Sequence, residues 1–264
     1  MVSNIVTHAL VFFGIALGSA CDANLNAGYN RDGAIRGTLD AALDVATPRM
    51  SRNFTLEGQP VFLQKNGNAK ADGEHIVLTE ELESQQGTVF IPSPFALIAN
   101  GDFNIEMIFQ IETSSVAADG IALVWHADSR GAFALGGSGG GISIGELTPS
   151  VAVVFDTHNG NGNEPAPGIG IGHGGDFAVA PLVVRDPPFD LANGNRVYVW
   201  ITHRAGVMAV FVADSNVKPV LPWITTPVDL AAELGAEAFV GVAAATGAKF
   251  ARHTLLALHV KTGV

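Results

Sequence analysis

The chain is short of cysteine, of basic residues and of long apolar runs, and each shortage excludes a class of protein. Cys21 is the only cysteine in 264 residues. No intrachain disulfide and no cysteine-based zinc site can therefore form. Lysine and arginine number 14 against 25 acidic residues, giving a formal net charge of −11, and no dense basic run occurs. A nucleic-acid backbone or an anionic membrane surface would be repelled. Neutral sugars and divalent cations remain as partners. Only 15% of residues are charged while 48% are hydrophobic, the reverse of a disordered composition.

The N-terminal apolar stretch, Ala9 to Ala20 (ALVFFGIALGSA), falls short of the ~20 residues that cross a bilayer as a helix. Its small-residue end predicts an export signal over residues 1–20. Gly18-Ser19-Ala20-Cys21 resembles a bacterial lipoprotein box, in which Cys21 would carry a lipid and attach the chain to a membrane. Leu17 stands one place early for that box, and no Lys or Arg precedes the apolar core. Cleavage after Ala20 without lipidation gives a secreted chain instead. A third reading is a buried N-terminal element with Cys21 in a core. Export places the protein in the medium or the cell envelope.

What the chain has in quantity is glycine and proline, 31 and 13 residues. They suit many short strands joined by tight turns. Residues 21–51 are polar and irregular, helix-like only at Thr38 to Val45, and read as a tether. From 52 to 264 the pattern is strand, turn, strand. Asn100-Gly101-Asp102, Ala118-Asp119-Gly120 and Asn193-Gly194-Asn195 punctuate apolar runs. Val197, Val199 and Ile201 alternate with Tyr198, Trp200 and Thr202, and Met208, Val210 and Val212 with Val207, Ala209 and Phe211. Further strands are predicted at Phe239 to Ala243 and Leu255 to Val260. Several strands are apolar on both faces, which suits packed sheets. A single all-β domain of two stacked antiparallel sheets follows, with sheet edges as one route to a homo-oligomer.

One loop carries hard oxygen donors. Asp156 ends a predicted strand, and Thr157-His158-Asn159-Gly160-Asn161-Gly162-Asn163-Glu164 follows it. A calcium ion takes six to eight oxygens at about 2.3–2.6 Å, and glycines let a loop fold tightly enough to converge them. The same residues also suit an ordinary Asn/Gly surface turn.

Several motifs stand in an order that resembles the legume-type lectins, above all their bacterial relatives. These are Ala118-Asp119-Gly120 with the strand to Val124, the glycine loop Leu135 to Gly141, Ser150 to Thr157, and Gly168 to Ile171. The closing pattern is Val228-Asp229-Leu230, Gly241 to Gly247 and His253; Asn66 to Ala69, Leu78-Thr79 and Gln86-Gly87 resemble the opening strands. Together they span roughly residues 52 to 262. The resemblance implies a concanavalin-like jelly-roll sandwich that binds glycans.

It also implies roles for residues. Asp119, after a cis peptide bond, would accept hydrogen bonds from two sugar hydroxyls, and backbone N–H groups of Gly137, Ser138 and Gly139 would donate. Asn159 or Asn161 would add an amide, and His158 would stack on the pyranose. The loop containing Ala248 and Lys249 would tune sugar choice. For calcium the resemblance implies Asp156, the His158 carbonyl, Asn159 or Asn161 in place of Gly160, and Glu164 where the family has Asp. Members that also bind manganese carry Glu and His where this chain has Val154 and Gly168. Calcium without manganese is the expectation.

Catalysis finds little support. The Glu-x-Asp-x-x-Glu run of sandwich-type glycoside hydrolases is absent, and Glu106 and Glu112 are not spaced to serve one catalytic face. The histidines form no HExxH motif. The rival to a sugar-binding role is an envelope or appendage subunit that uses the sandwich for protein contacts.

Overall fold

The computed structural model describes residues 53–56, 63–97, 101–160, 166–175 and 181–262. The predicted leader, Cys21, the tether, Asn161 and Glu164 lie outside the described residues. Two antiparallel sheets make the fold. The first runs β14(Ile224–Pro227), β13(Val207–Ala213), β12(Arg196–Arg204), β7(Phe103–Glu112), β16(Arg252–Thr262), β4(His75–Thr79) and β3(Lys70–Asp72), with β1(Asn53–Leu56) also on β16. The second runs β11(Pro181–Arg185), β10(Gly168–His173), β9(Ser150–Asp156), β8(Gly120–His126), β15(Glu237–Ala245), β5(Gln86–Phe90) and β2(Gln64–Gly67), with β6(Phe95–Ala96) also on β15. The predicted two-sheet jelly-roll sandwich is what forms.

The two sheets differ in how they are covered, and their sequences say so. In the first sheet Val197, Val199 and Ile201 on β12 are buried while Tyr198, Trp200 and Thr202 are half-buried. The same alternation holds along β7 and β13. These strands turn one face to the core and the other outward. In the second sheet every residue of β8 and β9 is buried. Ile121, Leu123, Val151, Val153 and Phe155 join the main core between the sheets. Ala122, Val124, Ala152 and Val154 point the other way, into a second apolar cluster with Ala132, Ala134, Ile142, Ile144 and Leu147. Those last residues belong to the long connection between β8 and β9, which folds back as a roof. Burial on both faces explains the unbroken apolar runs of these two strands.

One helix is described, α1(Leu230–Leu234). Asp229 caps it, accepting from the N–H groups of Ala231 and Ala232 at 3.1 Å each.

Candidate functional site

The doubly covered sheet ends in the residues of interest. Gly120 and Asp156 are register partners across β8 and β9. A Cβ at Gly120 would run into the carbonyl oxygen of Phe155, so only glycine allows this approach. The peptide bond between Ala118 and Asp119 is cis, as the resemblance implies. Asp119 is buried, 5% exposed. Its N–H donates to the Ala245 carbonyl at 2.9 Å. Its own carbonyl accepts from the Thr157 N–H at 2.9 Å and from Thr157 Oγ1 at 3.1 Å. The start of β8 is thereby tied to β15 on one side and to the loop after β9 on the other.

The glycine loop closes over this point. Gly136 N–H donates to the Ser143 carbonyl at 3.0 Å, and Ser143 N–H to the Gly137 carbonyl at 3.1 Å. Ser143 Oγ donates to the Ala244 carbonyl at 2.7 Å. At the tip, Gly139 N–H donates to the Thr246 carbonyl at 3.0 Å. A Cβ built on Gly247 would lie 3.2 Å from Asp119 Oδ2 and 3.4 Å from the Gly139 Cα. Asp119, Gly139 and Gly247 therefore meet in one place. Of the three expected loop donors, Gly139 has its N–H already committed inside the protein.

Around that meeting point the other expected residues fall as follows. Ser138, Ala248 and Lys249 are exposed, and Gly137 has open space where a side chain would be. The Gly247 N–H donates to the Lys249 carbonyl at 3.0 Å, so Ala248 is the tip of a tight turn. Asp156 is 2% exposed, and its Oδ1 accepts the His158 N–H at 2.9 Å. His158 is half-buried and Asn159 exposed. Among the described residues no group of three His, Cys, Asp or Glu is gathered to hold a metal. The described part of the donor set, a buried carboxylate at a strand end, has the chemistry of a hard-cation ligand. Val154, two residues before it, is packed in the second apolar cluster, and Gly168 brings no side chain.

Sequence reasoning named Thr157 and the stretch holding Thr246 only as parts of motifs and did not name Arg130; no motif spells out their hydrogen bonds to distant backbone groups. It also missed that Gly136-Gly137-Ser138-Gly139-Gly140 has the spacing of a nucleophile elbow. The geometry differs from an elbow. Ser138 is extended, at φ −77° and ψ 177°, and precedes a single 3-10 turn at Gly139–Gly141 rather than linking a strand to a helix.

The antiparallel sandwich brings a buried carboxylate, a glycine loop and a strand-end aspartate to one end of its second sheet. The chain belongs to the legume lectin domain family, whose pattern matches residues 51–262. Family members are non-enzymatic carbohydrate-binding proteins, and legume lectins generally bind metal ions. Among solved structures, the lectin from Bauhinia forficata in complex with GalNAc is 20% identical, with a TM-score of 0.70, covering 81% of this chain and 98% of that one. The metal-free form of lectin I-B4 from Griffonia simplicifolia is 20% identical, with a TM-score of 0.68, covering 81% and 100%. Arcelin-5, a lectin-like defence protein from Phaseolus vulgaris, is 21% identical, with a TM-score of 0.66, covering 81% and 98%. At these identities the likeness is one of fold. Comparison with curated protein sequences gives no match.

Proposed function

We propose that the protein is a calcium-dependent lectin whose sugar site is centred on Asp119. The observation that carries this reading is the meeting of Asp119, Gly139 and Gly247, a buried carboxylate with two glycines beside it. A carboxylate accepts from two vicinal hydroxyls at once. Gly137 and Ser138 donate from the loop, Asn159 or Asn161 adds an amide, and His158 supplies a ring to stack on the sugar. Ala248 and Lys249 stand exposed at the rim, where they would discriminate between sugars.

Asp156, the His158 carbonyl, Asn159 or Asn161, and Glu164 would hold the calcium. Once bound, the ion would supply positive charge to the carboxylates that hold it. A manganese ion beside it has little support, because buried Val154 and side-chain-free Gly168 stand where its carboxylate and imidazole ligands would be needed.

A glycan array with and without chelator tests the reading. It should include GalNAc and galactose, since a Bauhinia lectin is seen with the first and the lectin UEA-II with the second. Glycan binding that disappears on chelation is the expected result. No glycan bound in either condition would favour the protein-contact role. Export belongs to the same proposal, on the strength of the apolar stretch Ala9 to Ala20. Mass spectrometry of the mature N-terminus distinguishes a lipidated Cys21 from a free one, and an intact Met1 would remove the claim.

A further inference from the structure

A loop with six glycines between 136 and 145 is weakly restrained by its own backbone, because glycine restricts the backbone least of any residue. Beyond its internal hydrogen bonds and the burial of Ile142 and Ile144, it is held by three polar anchors. Two of these, at Ser143 and Gly139, tie the waist and tip to β15 and the segment following it. The third ties the two ends of the loop to each other, through a side chain outside it.

That side chain is Arg130. Its Nη1 donates to the Leu135 carbonyl at 2.8 Å and its Nη2 to the Glu146 carbonyl at 3.1 Å. Leu135 and Glu146 are the residues immediately before and after the glycine-rich segment. The guanidinium is itself fixed by Asp128, which accepts from Nε and from Nη2 at 2.8 Å each. Asp128 is nearly buried, 9% exposed, and also accepts the Arg130 N–H at 2.9 Å. These donors hold the Asp128 carboxyl well below the usual carboxylate range, Arg130 being the largest cause. A planar fork gripped along one edge leaves its remaining donors in fixed directions, which a lysine could not reproduce.

The geometry points to Arg130 as the positioning residue of the sugar-binding loop, a role that rests on the reading of that loop given above. Arg130 touches no sugar in this scheme. It sets the separation of Leu135 and Glu146, and with it the place of Gly137 and Ser138, whose N–H groups would donate to a sugar held at Asp119.

Arg130→Ala and Arg130→Lys in the full chain test it, by amide hydrogen exchange and by affinity for the glycan that the unaltered protein binds best. Exchange over residues 135–147 should speed up at least tenfold in Arg130→Ala, while β7 and β12 keep their protection. Glycan affinity should fall at least tenfold, measured well below the melting temperature and with calcium present. Arg130→Lys should recover part of both, since it keeps the charge and loses the fork. Unchanged loop exchange overturns the proposal, and so does faster exchange with unchanged affinity. Uniformly faster exchange would mark Arg130 as a general structural residue and overturns it too. If Arg130→Ala does not fold, Arg130→Lys decides by the same two measurements. If the unaltered protein binds no glycan, the sugar-binding reading fails by itself, and loop exchange still decides whether Arg130 positions the loop.

Discussion

Thr157 holds the carbonyl of Asp119 with two hydrogen bonds, one from its N–H at 2.9 Å and one from its Oγ1 at 3.1 Å. Through this pair the residue after the strand-end Asp156 fixes the backbone that presents the proposed sugar-binding carboxylate. Replacing Thr157 by Val removes one bond of the two and keeps the shape. A net loss of about 1 kcal/mol is expected, roughly a fivefold lower glycan affinity. Titration calorimetry of Thr157→Val measures it, and unaltered affinity would mean the hydroxyl has no part in the site.

Asp119→Ala should abolish glycan binding and leave the fold intact. Its backbone bonds to Ala245 and Thr157 do not involve the side chain. Each charge-assisted hydrogen bond to a sugar hydroxyl is worth roughly 1.5–3 kcal/mol, enough to erase a weak monosaccharide affinity. An array on which the variant binds as before would move the site elsewhere.

Gly247→Ala should weaken glycan binding through crowding. The new methyl would sit 3.2 Å from Asp119 Oδ2 and 3.4 Å from the Gly139 Cα, so carboxylate and loop must part by a few tenths of an ångström. Affinity should drop several-fold with little change in melting temperature. If affinity holds, the spacing between Asp119 and the loop tip has no part in binding.

Calcium removal should lower the melting temperature, and added calcium should restore it. Saturation at a hundred times the dissociation constant stabilises by about 2.7 kcal/mol. Elemental analysis should find one ion per chain. Two ions, or tight manganese binding, would contradict the single-site proposal.

Stability should fall in mild acid. Burial pushes the His126 imidazole down to about 4, and the His253 imidazole to about 3, from an ordinary value near 6.5. His126 lies between the rings of Phe90 and Phe239, with centroids at 4.4 and 5.6 Å, and His253 Nδ1 pairs with Thr79 Oγ1 at 2.7 Å. The unfolded chain takes up both protons as the pH drops through about 6.5, whereas the folded chain resists until about 4 and 3. Between those limits the unfolded state binds more protons, so stability declines as pH falls, by about 1.4 kcal/mol per unit per histidine. Above 6.5 these groups contribute no slope. Denaturant unfolding at pH 7, 5.5 and 4.5 reads the effect, and a flat profile would show that neither histidine stays neutral in the fold.

The fold was legible in the sequence because both burial patterns leave a trace. One-sided strands such as β12 alternate, and the two-sided β8 and β9 do not. The trace blurs where register shifts. On β16, Leu255 pairs with Phe109 and Ala257 with the adjacent Ile108, so Leu256 is an extra residue. That bulge puts Leu255 and then Leu258 and Val260 toward the same core although their parity differs. The run LLALHV consequently has no clean period. Within the site, Asp119, Gly139 and Asp156 could be named from motifs. The clamp by Thr157 and the brace by Arg130 could not, because a donor's choice among distant carbonyls depends on tertiary placement.

The covering of the second sheet on both faces bears on how such a protein can diversify. Every residue of β8 and β9 is enclosed, so changes there disturb packing whichever way the side chain points. Ser138, Ala248, Lys249 and Asn159 are instead at the surface, at the tips of connections. If they rim the proposed sugar site, a lineage could vary these few positions and alter sugar preference while the packed strands stay unchanged. In the proposed site, sugar preference would then be tuned at the rim, whereas Asp119, Gly139 and Gly247 answer to recognition and packing together.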